Sequence, residues 1–314
     1  MNSTDVIQIE NLVKRYQDLV ALDHLSLNIR EGEIFGLLGP NGSGKTTAIN
    51  CLLSLLKYDK GTITIFGQNM RPDSYEIKKQ IGVVMQNVAV FEQMSVWENI
   101  DYFCGLYIKD KTTRHQMVEE AVRFTGLEDF LKMRPKKLSG GLLRRLNIAC
   151  GIVHKPRLII MDEPTVAVDP QSRNKILEGI LELNQQGSTV IYTSHYMEEV
   201  EQICSRIAII DHGRVLATGT TEELKKMIKT GETVTIESIL LDDALLDGIR
   251  SLPHVFDLNY EDQTLKIRLG TARHNLVRIL SYLKEHDVNF GRVFSELPTL
   301  NDVFLEITGK ELRD

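Results

Sequence analysis

Several features that would define other protein classes are missing from this chain of 314 residues. It has no window of 18 apolar residues, so we expect no membrane-spanning segment. Its start, with Asp5 and Glu10, lacks a basic and then apolar leader, so we expect no secretion signal. No long repeat or low-complexity segment is visible. The length and the 42% hydrophobic composition instead predict about two globular domains with a buried core.

Cysteine, histidine and basic residues are too scattered or too few to define a site. The chain has 4 cysteines without a C-x-x-C pair, each among apolar neighbours, which predicts reduced thiols in a cytosolic protein. The 8 histidines show no metal-ligand spacing. With 37 basic and 43 acidic residues, the net charge of −6 argues against a broad nucleic-acid-binding surface, although a local patch is not excluded.

A glycine-rich loop after a short apolar run is the most informative segment of the chain. It fits the pattern G-x-x-x-x-G-K-[ST] without a mismatch, with Gly39, Pro40, Asn41, Gly42, Ser43, Gly44, Lys45, Thr46 and Thr47. Glycines let the backbone wrap so that N–H groups point at an anion. Lys45 can reach the outer phosphates of a nucleotide, and the Thr46 hydroxyl can bind Mg²⁺. Residues 33–38 predict a buried strand before the loop and residues 46–56 a helix after it, whose N-terminus would face the phosphates. The alternative is a glycine-rich turn that matches by chance.

Two carboxylates follow a second apolar run. Residues 158–161 are all apolar, and Asp162 and Glu163 come directly after them. Ligands bind at such carboxyl ends of strands in open α/β sheets. Asp162 fits the role of a Mg²⁺ holder, directly or through water, and Glu163 that of a base for an attacking water. A buried strand followed by an acidic turn is the alternative.

A third segment has the sequence Leu138-Ser139-Gly140-Gly141 and precedes a predicted helix over residues 142–151. The Ser139 hydroxyl and the glycine amides could bind a second anion, or the far side of the same nucleotide, at the positive end of that helix. A helix-capping turn explains the tetrapeptide about as well.

The order of these segments resembles the ATP-binding subunit of ABC transporters over about residues 5–220. The resemblance includes a strand that ends in Gln86, and it continues to Asp169 and His195. It implies an α/β fold, a P-loop NTPase cassette over residues 1–220. This cassette would have a mostly parallel sheet core, an antiparallel β subdomain and a helical subdomain at about residues 88–152. It also implies ATP and Mg²⁺ as ligands and ATP hydrolysis as the activity.

The same resemblance implies roles for single residues. Tyr16 would stack on adenine, and Gln86 would contact Mg²⁺ and the lytic water and sense the membrane partner. His195 would contact the γ-phosphate, and Asp169 would link two active sites across a dimer. An ordinary strand tyrosine, a polar strand end and a structural histidine are the respective alternatives for Tyr16, Gln86 and His195.

The chain departs from the family pattern in two places. Leu142 stands where the signature usually has glutamine, so one polar contact is lost while those of Ser139 and Gly141 would survive. Ala167 and Val168 replace the usual glycine and leucine. We expect these changes to affect signalling across the dimer slightly and ATP binding not at all. Since Glu163, Gln86 and His195 are all present, the sequence does not resemble a degenerate, inactive cassette.

After Gly219 the pattern changes to that of a small α+β accessory domain over residues 231–314, joined by a helical connector at 221–230. The predicted strands are 234–238, 254–260, 264–269 and 288–294, and the predicted helices are 241–251, 272–285 and 300–307. Residues 296–309 resemble the C-terminal segment of daunorubicin-resistance-type ABC exporters. An amphipathic closing helix by itself also explains the spacing of Val303, Phe304 and Ile307.

One phosphate loop and one signature per chain imply a composite site, because in the family the two come from opposite halves of a dimer. ATP would lie between Lys45 of one chain and Ser139 of the other. We expect a homodimer rather than a heterodimer. It would work with a separate multi-span membrane permease, and we expect the complex to be an exporter. The chain would be cytoplasmic, at the inner face of the cell membrane through its permease, with no nucleic-acid partner.

Two other functions compete with transport. A soluble ABC ATPase acting on ribosomes or DNA typically has two cassettes in one chain or a long coiled-coil insertion, and this chain has neither. A non-catalytic nucleotide sensor is disfavoured by the pair Asp162 and Glu163.

Overall fold

The computed structural model describes residues 5–237 and 239–309. The chain divides into two compact units between Thr220 and Thr221. None of the helices formed by the described residues has the length and apolar character needed to cross a membrane.

The first unit alternates strands and helices along the chain. Its strands are β1 (Asp5–Tyr16), β2 (Leu19–Arg30), β3 (Ile34–Leu38), β4 (Lys60–Ile65), β5 (Gln68–Asn69), β6 (Ile81–Val84), β7 (Leu158–Asp162), β8 (Thr189–Ser194), β9 (Arg206–Asp211) and β10 (Arg214–Gly219). Its helices are α1 (Lys45–Leu52), α2 (Tyr75–Lys78), α3 (Val96–Gly105), α4 (Lys111–Thr125), α5 (Gly140–Ile152), α6 (Pro170–Gln185) and α7 (Met197–Ile203).

A six-stranded sheet of order β10-β9-β3-β8-β7-β6 forms the centre of this unit. All neighbours in it run parallel except β9 and β10. Strands β3, β7 and β8 are buried along their whole length, as expected for central strands covered on both faces. Because these three strands are parallel, their carboxyl ends and the loops that follow lie at one edge of the sheet.

An antiparallel sheet of order β2-β1-β4-β5 shares a core with the central sheet and α1. Ile7 and Leu25 of the antiparallel sheet, Phe35 and Ile160 of the central sheet and Ile49 of α1 all belong to this core. The shared core fixes the end of β1, which carries Tyr16, relative to the loop between β3 and α1.

Helices α3, α4 and α5 surround a separate hydrophobic core that includes Ile100, Val118 and Leu146. Helix α3 begins at a capping box formed by Ser95 and Glu98. These helices occupy the region in which the sequence predicts a helical insertion.

The second unit contains the helices α8 (Thr221–Lys226), α9 (Asp243–Arg250), α10 (Asn275–Glu285) and α11 (Leu300–Thr308), and the strands β11 (Thr230–Ile236), β12 (Val255–Glu261), β13 (Thr264–Gly270) and β14 (Val293–Glu296). From β11 the order is β-α-β-β-α-β, followed by α11. The strands form an antiparallel sheet of order β12-β13-β11-β14. Val234, Ile267 and Ile279 lie in its core.

Some predicted bounds differ from the observed ones. The helix predicted over 46–56 ends at Leu52, since Ser54 has a φ of 51° and leaves the helical conformation. The strand predicted at 288–294 is wrong for residues 288–292. The Val288 N–H bonds the Leu283 carbonyl in the turn after α10, and the strand begins at Val293. In the strand predicted at 234–238, Ser238 lies outside the described residues, as do 310–314 of the predicted accessory domain.

Candidate functional site

The loop of residues 39–44 joins the buried strand β3 to the N-terminus of α1. Gly44 has a φ of 109°, a conformation that favours glycine, and it precedes the first residue of the helix. A methyl group on Gly44 would lie 2.8 Å from the Ala21 carbonyl oxygen, and one on Gly39 would lie 2.2 Å from that of Ile210. Strands β2 and β9 therefore pack so closely on this loop that these two positions require glycine.

The Lys45 side chain turns back over the loop. Its Nζ donates hydrogen bonds to the carbonyl oxygens of Gly39, at 2.7 Å, and Pro40, at 3.2 Å, and it lies 3.8 Å from Glu163 Oε1. Only 5% of this residue is exposed. Burial lowers the pKa of the Lys45 ammonium, while Glu163 and Asp162 act in the opposite direction. A cation of this kind has a favourable position for the outer phosphates of a nucleotide.

Asp162 ends strand β7 and connects it by hydrogen bonds to strand β8 and to helix α1. One of its oxygens accepts a hydrogen bond from Thr193 Oγ1 of β8, at 2.7 Å, and the other from Thr46 Oγ1 of α1, at 3.1 Å. The residue is 1% exposed. These bonds fix a carboxylate and a threonine hydroxyl next to each other, and both are hard oxygen donors of the kind Mg²⁺ prefers.

Three candidate residues converge on the Glu163 carboxylate. Gln86 Nε2 donates to its Oε2 at 3.0 Å, while Lys45 Nζ lies 3.8 Å and His195 Nδ1 3.5 Å from its Oε1. Glu163 has a φ of 49°, which is uncommon for a residue other than glycine, and its N–H bonds Thr193 Oγ1 at 2.9 Å. Backbone strain of this kind clusters at functional sites. The structure therefore brings together Lys45, Gln86, Glu163 and His195.

A cleft of about 450 Å³ lies over this group. It is lined by Tyr16, Asn41, Gly42, Gly44, Lys45, Thr46, Thr47, Gln86 and Glu163 of the sequence-predicted residues. The Tyr16 ring is 45% exposed at the end of β1 and has Lys14 Nζ 5.0 Å from its centroid. A larger cavity of about 620 Å³ beside α4 and α6 contains none of the motif residues. We place the candidate site at the smaller cleft because the cations, carboxylates and helix N-terminus meet there.

The segment of Ser139, Gly140 and Gly141 does not line this cleft. Ser139 Oγ accepts a hydrogen bond from the Leu142 N–H at 3.3 Å and caps α5. A methyl group on Gly141 would lie 2.5 Å from Ser172 Oγ and 3.0 Å from Asp169 Oδ2. Asp169 in turn caps α6 through the Ser172 N–H at 2.9 Å, and these hydrogen bonds hold the pKa of its carboxyl below the usual range. The Ser139 turn, defined as residues 139–141, thus packs on the start of α6 within its own chain.

Several residues of the site carry no sequence signal. Leu19, Val20 and Ala21 of β2 and His212 and Gly213 of the turn between β9 and β10 line the cleft. Thr193 holds both Asp162 and the Glu163 N–H. Strands β7 and β8 pair so that Asp162 and Thr193 lie side by side. Knowledge of this pairing would have identified the threonine.

The sequence of the chain matches two family models and several known proteins. A family model described as ABC transporter matches residues 22–166, and a model described as the ATP-binding protein DrrA1-3-like C-terminal domain matches residues 219–308. The chain is 39% identical to the linearmycin resistance ATP-binding protein LnrL of Bacillus subtilis, over 98% of this chain and 100% of the relative. The chain belongs to the ABC transporter family.

This ATP-binding subunit has further full-length relatives. It is 39% identical to the daunorubicin/doxorubicin resistance ATP-binding protein DrrA of Streptomyces peucetius, over 99% of this chain and 94% of the relative. It is 32% identical to a Nod factor export ATP-binding protein I of Ralstonia nicotianae, over 100% and 97%. A dimeric ATP-binding cassette in a post-hydrolysis state, bound to ADP and Pi, aligns with a TM-score of 0.63 and 28% identity, over 68% of this chain and 98% of that chain.

These matches confirm the family, the cassette fold and the daunorubicin-resistance-type branch predicted from the sequence. The subunit binds ATP with Mg²⁺ and hydrolyses ATP, as its family does. Members of the family dimerise and work with a separate membrane permease. The residues present fit Mg²⁺, because Thr46 Oγ1 and Asp162 Oδ2 lie 3.1 Å apart beside the phosphate loop. Few protein ligands are expected at such a site, since Mg²⁺ is usually held by one or two protein groups together with phosphates and water.

Proposed function

We propose that this subunit powers the export of a small molecule by a separate multi-span permease, at the cytoplasmic face of the cell membrane. The observation that carries the proposal is the match to export and resistance subunits over both units of the chain, including the C-terminal domain at residues 219–308. A cassette that works on ribosomes or nucleic acid is less well supported, since none of these relatives is named for such a role.

In the proposed site, Tyr16 stacks on adenine and the loop of residues 39–47 holds the phosphates. The N–H groups at the start of α1 and the Lys45 ammonium stabilise their charge, and Lys45 exchanges its contacts with the Gly39 and Pro40 carbonyls for phosphate oxygens. Thr46, Gln86 and Asp162 would hold Mg²⁺, which supplies charge neutralisation at the phosphates when bound.

Glu163 acts as the general base toward the attacking water. Glu163 is 6% exposed, its carboxylate accepts a hydrogen bond from Gln86 at 3.0 Å, and His195 Nδ1 lies 3.5 Å away, so little reorganisation is needed before proton transfer. His195 then contacts the γ-phosphate. Since Gln86 is exposed and begins the connection to the helical subdomain, it is also the residue proposed to sense the permease.

The site is completed by a second chain. Because the Ser139 turn lies outside the cleft of its own chain, its hydroxyl and amides are free of the nucleotide bound there. We assign Ser139, Gly140 and Gly141 to the triphosphate of the partner chain, and Asp169 to the contact between the two sites. Two identical chains supply two complete sites, which favours a homodimer.

Affinity purification from membranes tests this proposal. Two differently tagged copies of the full-length chain are expressed together, and complexes are isolated through the first tag. The proposal predicts that the second tag and a multi-span membrane protein are recovered together. Recovery of ribosomes or DNA without a membrane protein would contradict transport, and recovery of a different ATP-binding subunit without the second tag would contradict the homodimer.

A further inference from the structure

A buried glutamate next to the proposed site has no part in the roles given above. Glu199 lies on α7 and is 3% exposed. Its Oε2 accepts three hydrogen bonds, from Tyr192 Oη at 2.6 Å, Thr165 Oγ1 at 2.8 Å and Ser194 Oγ at 3.0 Å. Its Oε1 accepts none but lies 3.3 Å from Arg173 Nε. We call Glu199 and these four partners the Glu199 network.

The network gathers several donors around one carboxyl group. Each hydroxyl has one proton to donate, and three hydroxyls converge on one Glu199 oxygen. The Arg173 guanidinium lies beside the other oxygen. Burial, and after it the nearby Glu199 charge, raises the pKa of Tyr192 well above its usual range, so that this phenol remains a donor.

The network holds both neighbours of His195. Ser194 donates to Glu199 and accepts a hydrogen bond from the Tyr196 N–H at 2.9 Å, so its hydroxyl spans the histidine in between. The Arg173 guanidinium lies over the Tyr196 ring at 4.7 Å, and the His195 ring is 4.2 Å from the same ring. Among residues 5–237 and 239–309, His195 Nδ1 has no hydrogen-bond partner. The position of its ring therefore depends on the residues on either side.

The network also reaches two other segments of the proposed site. Thr165 is fully buried two residues after Glu163, and its carbonyl accepts the Val168 N–H at 3.3 Å just before Asp169. Arg173 lies in the first turn of α6, where its N–H bonds the Asp169 carbonyl at 2.9 Å. One carboxylate thus joins the segment after the acidic strand, the turn that carries His195 and the helix that begins at Asp169.

From these contacts we infer that Glu199 is a positioning residue for hydrolysis, which holds His195 against Glu163 and fixes both to the Asp169 segment. None of its four partners in the network lines the cleft, so we expect nucleotide binding to be independent of Glu199. The inference rests on the roles proposed above for Glu163 and His195.

The test compares Glu199→Gln with Glu198→Gln in the full-length chain. Glutamine keeps the shape and an oxygen for the hydroxyl donors but turns a donor toward Arg173, whereas Glu198 is an exposed neighbour with the same charge. We expect kcat for ATP hydrolysis to fall about tenfold or more in Glu199→Gln, since small displacements of aligned groups cost that much. The dissociation constant for a non-hydrolysed ATP analogue stays within about twofold, and Glu198→Gln leaves both values unchanged.

Ser194→Ala is a second, milder variant that removes only the link across His195. It should lower kcat without changing analogue binding, and this result carries the test if Glu199→Gln does not fold. An unchanged kcat in either folded variant, or a parallel loss of binding and turnover, would overturn the inference. The same measurement on Glu163→Gln separates a failure of the proposed role of Glu163 from a failure of the Glu199 network. If that variant turns over normally the proposed role of Glu163 fails, whereas slow Glu163→Gln with normal Glu199→Gln defeats the network alone.

Discussion

The acidic strand end at Asp162 and Glu163 and the Ser139 turn are constructed in opposite ways. Both acidic side chains are buried, and each is held by partners from other segments of the same chain. Ser139 and Gly140 are exposed, and the Ser139 hydroxyl accepts a hydrogen bond from the first turn of its own helix. Groups that are buried and held on several sides are preorganised within one chain, whereas an exposed helix N-terminus is available to an anion from outside. The groups proposed for catalysis are therefore preorganised within one chain, whereas Ser139 and Gly140 are exposed to a ligand from outside that chain.

The largest effect should come from Glu163→Gln, which removes the proposed base while retaining the shape of the side chain. We expect hydrolysis to slow by roughly 10²–10⁴ with ATP binding preserved. Single-turnover measurements with bound ATP check this, with Glu198→Gln as the matched control. Turnover close to that of the unmodified chain would remove Glu163 from the role of base.

Lys45→Ala should weaken nucleotide binding about 10- to 100-fold, because hydrogen bonds to charged groups contribute about 1.5–3 kcal/mol. Titration calorimetry with ATP measures the loss, and Lys57→Ala, an exposed lysine beyond α1, is the control. Since Lys45 also lies beside two buried carboxylates, thermal unfolding is recorded for both variants. Equal affinity in a folded Lys45→Ala protein contradicts the assignment of the phosphate loop.

Ser139→Asp tests whether the Ser139 turn binds the triphosphate of a partner chain. Aspartate is as good an N-cap as serine, so the free energy of unfolding should change by less than about 0.5 kcal/mol. Its negative charge would nevertheless repel the triphosphate of the partner chain. We expect ATP-driven association to be lost while each chain still binds ATP, as measured by light scattering and titration. Association equal to that of the unmodified chain would mean that Ser139 is a cap and nothing more.

The smallest effect is expected for Ala167→Gly, a change in the segment between Glu163 and Asp169, where we expect little change in stability. Ala167 has a φ of 58°, which glycine adopts more readily, but glycine also increases the entropy of the unfolded chain. Since these effects oppose each other, the free energy of unfolding should change by less than about 1 kcal/mol in urea unfolding. A loss above about 2 kcal/mol would contradict the backbone conformation of this segment.

The sequence predicted those features that local pattern encodes. The phosphate loop, the paired carboxylates and the buried strands β3 and β7 each have a short signal of residue type and spacing, and the order of the motifs identified the family. The pattern failed at residues 288–292, where the backbone turn that ends a helix takes the place of a strand. Val288 completes the turn after α10 rather than a strand, because its N–H bonds Leu283.

The unpredicted parts of the site depend on strand pairing and helix packing. Thr193 acquires its place only because β8 lies beside β7, and the cleft walls at residues 19–21 and 212–213 come from strands distant in sequence. Glu199 is one of two consecutive glutamates at the start of a short helix, and only packing distinguishes it from its exposed neighbour Glu198. No local pattern separates a buried carboxylate with four partners from a solvated one.

Sedimentation velocity of the Glu163→Gln chain, with and without ATP and Mg²⁺, shows whether ATP joins two chains, because slowed hydrolysis would no longer disperse the complex. We predict the mass of one chain without nucleotide and of two chains with it, and the mass of one chain in both conditions when Ser139→Asp is added. A Glu163→Gln chain that remains single at saturating ATP and high protein concentration would contradict the composite site.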